Sequence, residues 1–130
     1  MIVLEVRTRR RQEFVNVTHS VAEAVARLGV ENGAVLVYSP HTTAAVVIQE
    51  GADPAVAADI IARLELLAPT GDPRYQHREG NADAHIKTAL LGNDKVIPVR
   101  GGRLLLGTWQ QIFLAEFDGP RRRELWVKAL

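Results

Sequence analysis

The chain has no cysteine. Disulfides, zinc–thiolate sites and cysteine nucleophiles are therefore excluded, and any transition metal must be held by histidines and carboxylates. Aromatic residues make up only 5% and the net charge is +1. Neither bulk charge nor stacking capacity points to nucleic acid. No apolar run approaches the roughly 20 residues of a membrane span. The opening MIVLEVRTRRRQEF has too short an apolar stretch for a signal peptide and runs into arginines. A cytoplasmic location without membrane attachment is expected. Familiar catalytic signatures are missing too: there is no GxSxG, no P-loop and no HExxH. Ser39 stands before Pro40 with no evident base, which argues against a serine triad.

What is present is ordinary for a soluble globular protein. The 130 residues are 47% apolar and 24% charged, enough for one domain over 1–130 with its own core. Residues 1–7 and 14–17 are rich in Val, Ile, Leu and Phe and predict strands, with TRRRQE as a hairpin loop. The run Arg9–Arg10–Arg11 reads as a solvated turn. Ser20-x-x-Glu23 reads as a capping box, followed by the stripe Val21, Val25, Leu28 and a Gly29 stop. His19 then falls in a cap region or on the surface. GAVLVYS (33–39) reads as a strand covered on both faces, and AAVVIQE (44–50) as another. Asp53-Pro54 marks a helix start, and Val56, Ile60, Leu64 and Leu67 continue it.

Asn81 is placed to cap a third helix, with Ile86, Ala89 and Leu90 as its buried face and Gly92 as its stop. KVIPV-RGG-RLLL predicts a hairpin turning at 100–102, with Pro98 marking an edge or bulge. WQQIFLAEF and ELWVKAL complete the β content. Gln110 and Gln111 are adjacent on a strand, so one buried amide is expected. About seven strands and three helices inserted between strand pairs predict an α+β fold, a mixed and largely antiparallel β-sandwich.

Three polar places stand out. PHTT (40–43) interrupts two strongly β-prone runs with an imidazole and two hydroxyls. Packing does not need those residues there, although a tight turn would also use them. The longest polar loop, APTGDPRYQH, leads into His77. His85 lies one turn into the third helix, about 40° from Asn81 and from Ala89 in projection, at the edge of the buried face. The helix N-terminus beside Asn81 suits an anion. His41, His77 and His85 would make a three-ligand metal site with an open position. Spacing alone leaves that reading open beside one of scattered structural histidines. Glu50, at a strand end, is a further acid–base candidate. Arg121–Arg122–Arg123 reads as mostly surface, with one Arg available for a phosphate.

SPHTTAAVVIQE, HxxxNxxxHIKTALLG and IPVRGGRLLLGTWQQIFLAEFDGPRRR, in that order over essentially the whole chain, resemble the YjbQ-like family of small bacterial and archaeal proteins. The resemblance implies an α+β sandwich assembled as a homotrimer. It also implies a divalent metal, zinc before others, on His41, His77 and His85. Thr42, Thr43, Asn81, Trp109 and Gln110 fall in the surrounding motif positions. The family has been associated with thiamine-phosphate synthase activity, which joins a pyrimidine pyrophosphate to a thiazole phosphate with loss of pyrophosphate. For that reaction Arg74, Arg78 or Arg121 would contact phosphoryl groups, with Thr42, Thr43 and Trp109 around the substrate. Glu50, Asn81 and Gln110 are the candidates for catalysis. A three-histidine set differs from the oxygen-rich magnesium sites usual for pyrophosphate. Metal-dependent hydrolysis, with Glu50 or Glu79 as base, and a non-enzymatic metal- or ligand-binding trimer stand as alternatives.

Overall fold

A computed structural model describes all residues 1–130. In chain order the elements are β1 (Ile2–Arg7), β2 (Glu13–Asn16), α1 (Thr18–Leu28), β3 (Asn32–Tyr38), β4 (Ala44–Glu50), α2 (Pro54–Leu67), α3 (Ala82–Leu91), β5 (Asp94–Arg100), β6 (Arg103–Leu104), β7 (Gln110–Glu116) and β8 (Arg122–Ala129). The strands form a five-stranded sheet, β1-β8-β3-β5-β6, and a three-stranded sheet, β2-β7-β4. Every pairing is antiparallel. This is the α+β sandwich that the strand and helix pattern predicts.

One core lies between the sheets. Val35, Val37, Ile97, Val99, Leu125 and Val127 face Val46, Ile112 and Leu114, and α1 adds Val21 and Val25. On the opposite face of the small sheet, Ala45, Ala115 and Phe117 receive Ala84 of α3. Alanines at these contacts let α3 approach β4 closely.

Local signals explain several boundaries. The Asp53 carboxylate accepts the Ala55 N–H at 2.9 Å, with Pro54 at the first helical position, as the sequence predicts. Gly101 and Gly102 have φ of 58° and 74°, the successive left-handed residues that a tight hairpin turn between β5 and β6 requires.

Other expectations are corrected. β1 and β2 are not a hairpin: β1 pairs with β8 and β2 with β7, in different sheets. The TRRRQE segment therefore crosses between layers. α1 starts at Thr18, with Val17 at the cap position and no side-chain cap, so Ser20 and Glu23 lie inside the helix and form no capping box. Tertiary bonds replace the cap, since Thr18 Oγ1 accepts the Ile112 N–H at 2.8 Å. β3 is buried on one face only; Val35 and Val37 point inward while Tyr38 is exposed. Neither Gln110 nor Gln111 is buried.

The largest correction concerns α3. Its buried residues are Asp83, Ala84, Lys87 and Thr88, whereas Ile86 and Leu90 are exposed and so is Ala89. A polar network makes this orientation tolerable. Lys87 Nζ donates to Asp83 Oδ2 and Glu65 Oε1, both at 2.8 Å, and to Gln12 Oε1 at 3.2 Å. Arg11 grips Asp83 through both terminal nitrogens, at 2.9 and 3.2 Å. A buried ammonium and carboxylate with this many partners need not be exposed to water.

Candidate functional site

PHTT links β3 of the large sheet to β4 of the small one. The segment that looked like an interruption between two strands is thus the crossover from sheet to sheet. It delivers His41, Thr42 and Thr43 to the rim of the sandwich, next to the start of α3 and the β7–β8 turn. Together these residues line a cleft of about 330 Å3 with Glu79, Asn81, His85, Asp118, Arg121 and Arg123. Apart from Pro40, every side chain that lines it is polar or charged.

Each wall has a physical anchor. Ser39 Oγ donates to the Ala44 carbonyl at 2.7 Å, and Asn93 Nδ2 donates to the Ser39 and His41 carbonyls at 2.9 and 2.7 Å. The crossover is therefore held at both ends. His41 Nε2 accepts the Glu124 N–H at 2.9 Å, continuing the edge of β3 beyond Tyr38. Burial first, then the neighbouring positive Arg123, holds its imidazole below the usual histidine range. That keeps the ring neutral, as accepting a bond or binding a metal requires.

The floor is a chain of paired charges. Arg123 Nε donates to Glu116 Oε2 at 2.7 Å, and its Nη2 donates to Thr43 Oγ1 at 2.8 Å. Thr8 Oγ1 donates to the same Glu116 oxygen at 3.0 Å. Glu116 Oε1 accepts the Asp118 N–H at 2.9 Å. Asp118 Oδ2 accepts from Arg121 Nη2 at 3.0 Å and from Asn81 Nδ2 at 2.8 Å. Both arginines of the cleft are thus committed to carboxylates.

Asn81 sits at the cap position of α3 but makes no side-chain cap; its amide is drawn to Asp118 instead. Its Oδ1 is buried without a partner. Forgoing a cap costs about 1 kcal/mol, and an unsatisfied buried acceptor about 1–3 kcal/mol. Asn81 thus forgoes a cap and leaves an acceptor unpaired in return for its bond to Asp118.

His77 lies on the other side of His85. The two rings meet edge to face with centroids 5.1 Å apart. Tyr75, Gln76, His77, Ala82, His85 and Ile86 line a second cleft, of about 390 Å3. His85 is common to both. Glu79 Oε2 is 3.7 Å from His77 Nε2.

Three imidazoles surround this place, and the donor type suits zinc. His77 and His85 are in contact, and His41 faces the cleft that His85 shares. His41 Nε2 also lies 3.2 Å from the Glu124 carbonyl; only in the other tautomer, with the proton on Nε2 and the Glu124 N–H bond given up, would Nδ1 be bare as a ligand atom. As the side chains stand, no three His, Asp or Glu are gathered into a ligand set. The residues fit a metal in donor type, but only His77 and His85 are in contact, and His41 and His77 line different clefts.

Other candidates are placed elsewhere. The register pairs Ala44 with Glu116 at one end of β4–β7 and Glu50 with Gln110 at the other. Six residues of strand put Glu50 and Gln110 roughly 20 Å from the Thr43 end. Glu50 instead lines a separate cavity of about 440 Å3 with Arg10, Glu13 and Asp53. Gln110 Oε1 accepts the Gly107 N–H at 2.8 Å, and Trp109 is exposed. Arg74 is clamped on Asp72 by contacts of 3.0 and 2.6 Å, holding that carboxyl down to about 2. Arg78 is exposed and lines neither histidine cleft. His19 is exposed beside Glu23.

Asp118, Glu116 and Arg123 were missed from sequence. DGP reads as a strand breaker and RRR as surface. The strand period carried the one available signal: Arg123 stands at the position of β8 that shares the inward face with Leu125 and Val127.

The family model described as UPF0047 protein YjbQ-like matches residues 2–130. A UPF0047 protein of Methanocaldococcus jannaschii is 47% identical over 126 residues, covering 97% of this chain and 91% of that protein. The UPF0047 protein YugU of Bacillus subtilis is 40% identical over 127 residues, covering 98% and 96%. Among solved structures, an uncharacterised conserved protein of the YjbQ/UPF0047 family from Clostridium acetobutylicum superposes with a TM-score of 0.96 at 42% identity, covering both chains fully. A conserved hypothetical protein from Thermus thermophilus gives 0.93 at 48%, again covering both chains fully. With a match over its whole length in sequence and in fold, the chain belongs to the YjbQ-like UPF0047 family.

Proposed function

We propose that the chain is a metal-dependent enzyme acting on phosphorylated small molecules. The reaction we assign is the joining of a pyrimidine pyrophosphate to a thiazole phosphate. The observation that carries this reading is that two clefts of unlike character meet at His85. One is walled by polar groups; the other offers Tyr75, Ala82 and Ile86 to a flat ring. A reaction that joins two molecules needs two adjoining subsites.

In chemical terms, the thiazole nitrogen attacks the methylene carbon of the pyrimidine. A C–N bond forms as the C–O bond breaks, and pyrophosphate leaves with the electron pair. No oxidant or reductant is needed. His41, His77 and His85 would hold the metal. What a divalent ion supplies there is positive charge for the leaving pyrophosphate. The protein alone offers little of it, because Arg121 and Arg123 already neutralise Asp118 and Glu116. Thr42 and the uncapped start of α3 supply donors to phosphoryl oxygens. The expected assembly is a homotrimer.

Glu79 in the polar cleft, close to His77, favours a second reading, metal-dependent hydrolysis. The test is metal analysis together with an assay. Purified protein grown with zinc is expected to hold about one divalent ion per chain, and His85→Ala to lose it while staying folded. Thiamine phosphate should form from the two substrates and fall at least about 100-fold in that variant. Pyrophosphate released without the thiazole partner would favour hydrolysis. Metal-free wild type would sink the site, and bound metal without turnover would leave a binding trimer.

A further inference from the structure

Each arginine run commits one member to a buried carboxylate, Arg11 to Asp83 and Arg123 to Glu116. The fold then brings the rest of the two runs together. The Thr8 N–H donates to the Arg121 carbonyl at 2.9 Å, and the Arg121 N–H donates to Thr8 Oγ1 at 2.8 Å. A Cβ on Gly119 would collide with the Arg10 carbonyl oxygen and with Thr8 Oγ1, so this close approach of the β7–β8 turn requires glycine. Arg7 stands directly opposite Arg122 in the β1–β8 register, and the next pair on that face is Glu5 opposite Glu124. Like charges directly opposite repel, so strand pairing alone does not account for them. Glu124 accepts from Trp126 Nε1 at 3.1 Å, which leaves Glu5 to serve both arginines. Each Nε is 3.4 Å from the same Glu5 Oε1.

The terminal nitrogens of Arg7 and Arg122 make no hydrogen bond, and neither does Nη1 of Arg121. All three side chains are more than half exposed. With Thr8 and Pro120 they line a pocket of about 210 Å3 that no acidic side chain lines, several times the roughly 30 Å3 of a water molecule. Arg121 also lines the polar cleft, so the two adjoin. Free guanidinium N–H groups from two strands and a turn suit an anion with several oxygens. A carboxylate offers two oxygens in one plane and a single charge. A phosphoryl group offers three oxygens and a charge of about −1.5 to −2. We propose that this pocket is a phosphoryl-binding site for a small phosphate ester or diphosphate. Arg7 and Arg122 hold the phosphoryl oxygens across the β1–β8 ladder, and Arg121 closes the pocket from the turn. The site stands whichever reaction the histidine clefts run.

The test uses binding rather than turnover. EDTA-treated protein is titrated calorimetrically with inorganic pyrophosphate at fixed ionic strength, and with citrate, of similar charge, as the comparison. Wild type should bind pyrophosphate saturably and at least about tenfold tighter than citrate. Arg7→Gln combined with Arg122→Gln should weaken pyrophosphate binding at least about tenfold. The same double variant should keep the wild-type urea midpoint without anion, because exposed ion pairs contribute little; that midpoint also shows that it folds. His85→Ala should bind pyrophosphate as wild type does, since His85 lines only the two histidine clefts. No saturable binding by wild type, equal affinity for citrate, or binding that survives in the double variant would each overturn the site. Binding lost in His85→Ala would move the anion to the histidine clefts and overturn it too.

Discussion

Lys87 is a fully buried ammonium in a molecule whose surface has ample room for one. It survives inside because Asp83, Glu65 and Gln12 surround it, while Arg11 closes the far side of Asp83. Removing Lys87 leaves the fully buried Asp83 carboxylate with Arg11 as its one remaining ion-pair partner. Lys87→Ala should therefore cost about 3–5 kcal/mol in urea unfolding. An apolar replacement of both Lys87 and Asp83, by Met and Leu, should recover much of that loss; a double variant no better than the single would refute the account. The same cluster sets an acid response. Burial pushes the Asp83 carboxyl up, but the bonds from Arg11 and Lys87 outweigh it and hold it at about 2. A carboxyl depressed in the folded state stabilises above its unfolded value near 4 and loses that contribution as pH falls through 2. Wild type should thus lose about 2 kcal/mol between pH 4 and 2 from this group. Asp83→Asn should remove that part of the slope in urea midpoints measured against pH.

α3 shows where an element can be read from sequence and where it cannot. Its existence, its limits near Asn81 and Gly92 and the placement of His85 at its first turn were all legible. Its rotation was not. Ile86, Ala89 and Leu90 made the expected apolar stripe, yet the face carrying Asp83, Ala84, Lys87 and Thr88 packs inward. Periodicity reports which residues share a face, but it cannot report that charges elsewhere on the helix will find partners on β2's approach and α2. The correction has a measurable side. Leu90→Ala should change stability by no more than about 0.5 kcal/mol, against roughly 3 kcal/mol for Leu114→Ala in the core. A cost at Leu90 comparable to that at Leu114 would mean the stripe is covered after all. The same limit governed β1 and β2. Their strand character was plain, but pairing partners more than one hundred residues away in the case of β1 and β8 leave no local trace.

Across the whole molecule, the site sits where the two sheets exchange chain, and that position explains which of its residues were legible. His41, His77, Asn81 and His85 break local patterns and so announce themselves. Glu116, Asp118 and Arg123 act through a three-dimensional floor and look like ordinary strand ends. Assembly is the remaining expectation at this scale. The outer face of the five-stranded sheet carries exposed apolar side chains beside charged ones such as Glu5, Asp94 and Lys128. The register aligns Val3, Trp126 and Tyr38 across three strands, and Leu36 with Val96 across the next pair. Tyr38 and Trp126 stack with centroids 5.7 Å apart, while Val3 and Val96 are each more than half exposed. Exposed apolar groups aligned across strands favour burial against another chain, and in a trimer that contact would be with a different face of the neighbouring copy. Light scattering on the wild type should give a mass three times that of the chain. Tyr38→Glu combined with Val96→Glu places charge in the middle of the patch without touching the core face, so it should yield folded single chains at micromolar concentration. A wild type that runs as a monomer would remove the trimer. A double variant that stays trimeric would move the interface off this sheet, with the exposed stripe of α3 as the next surface to test.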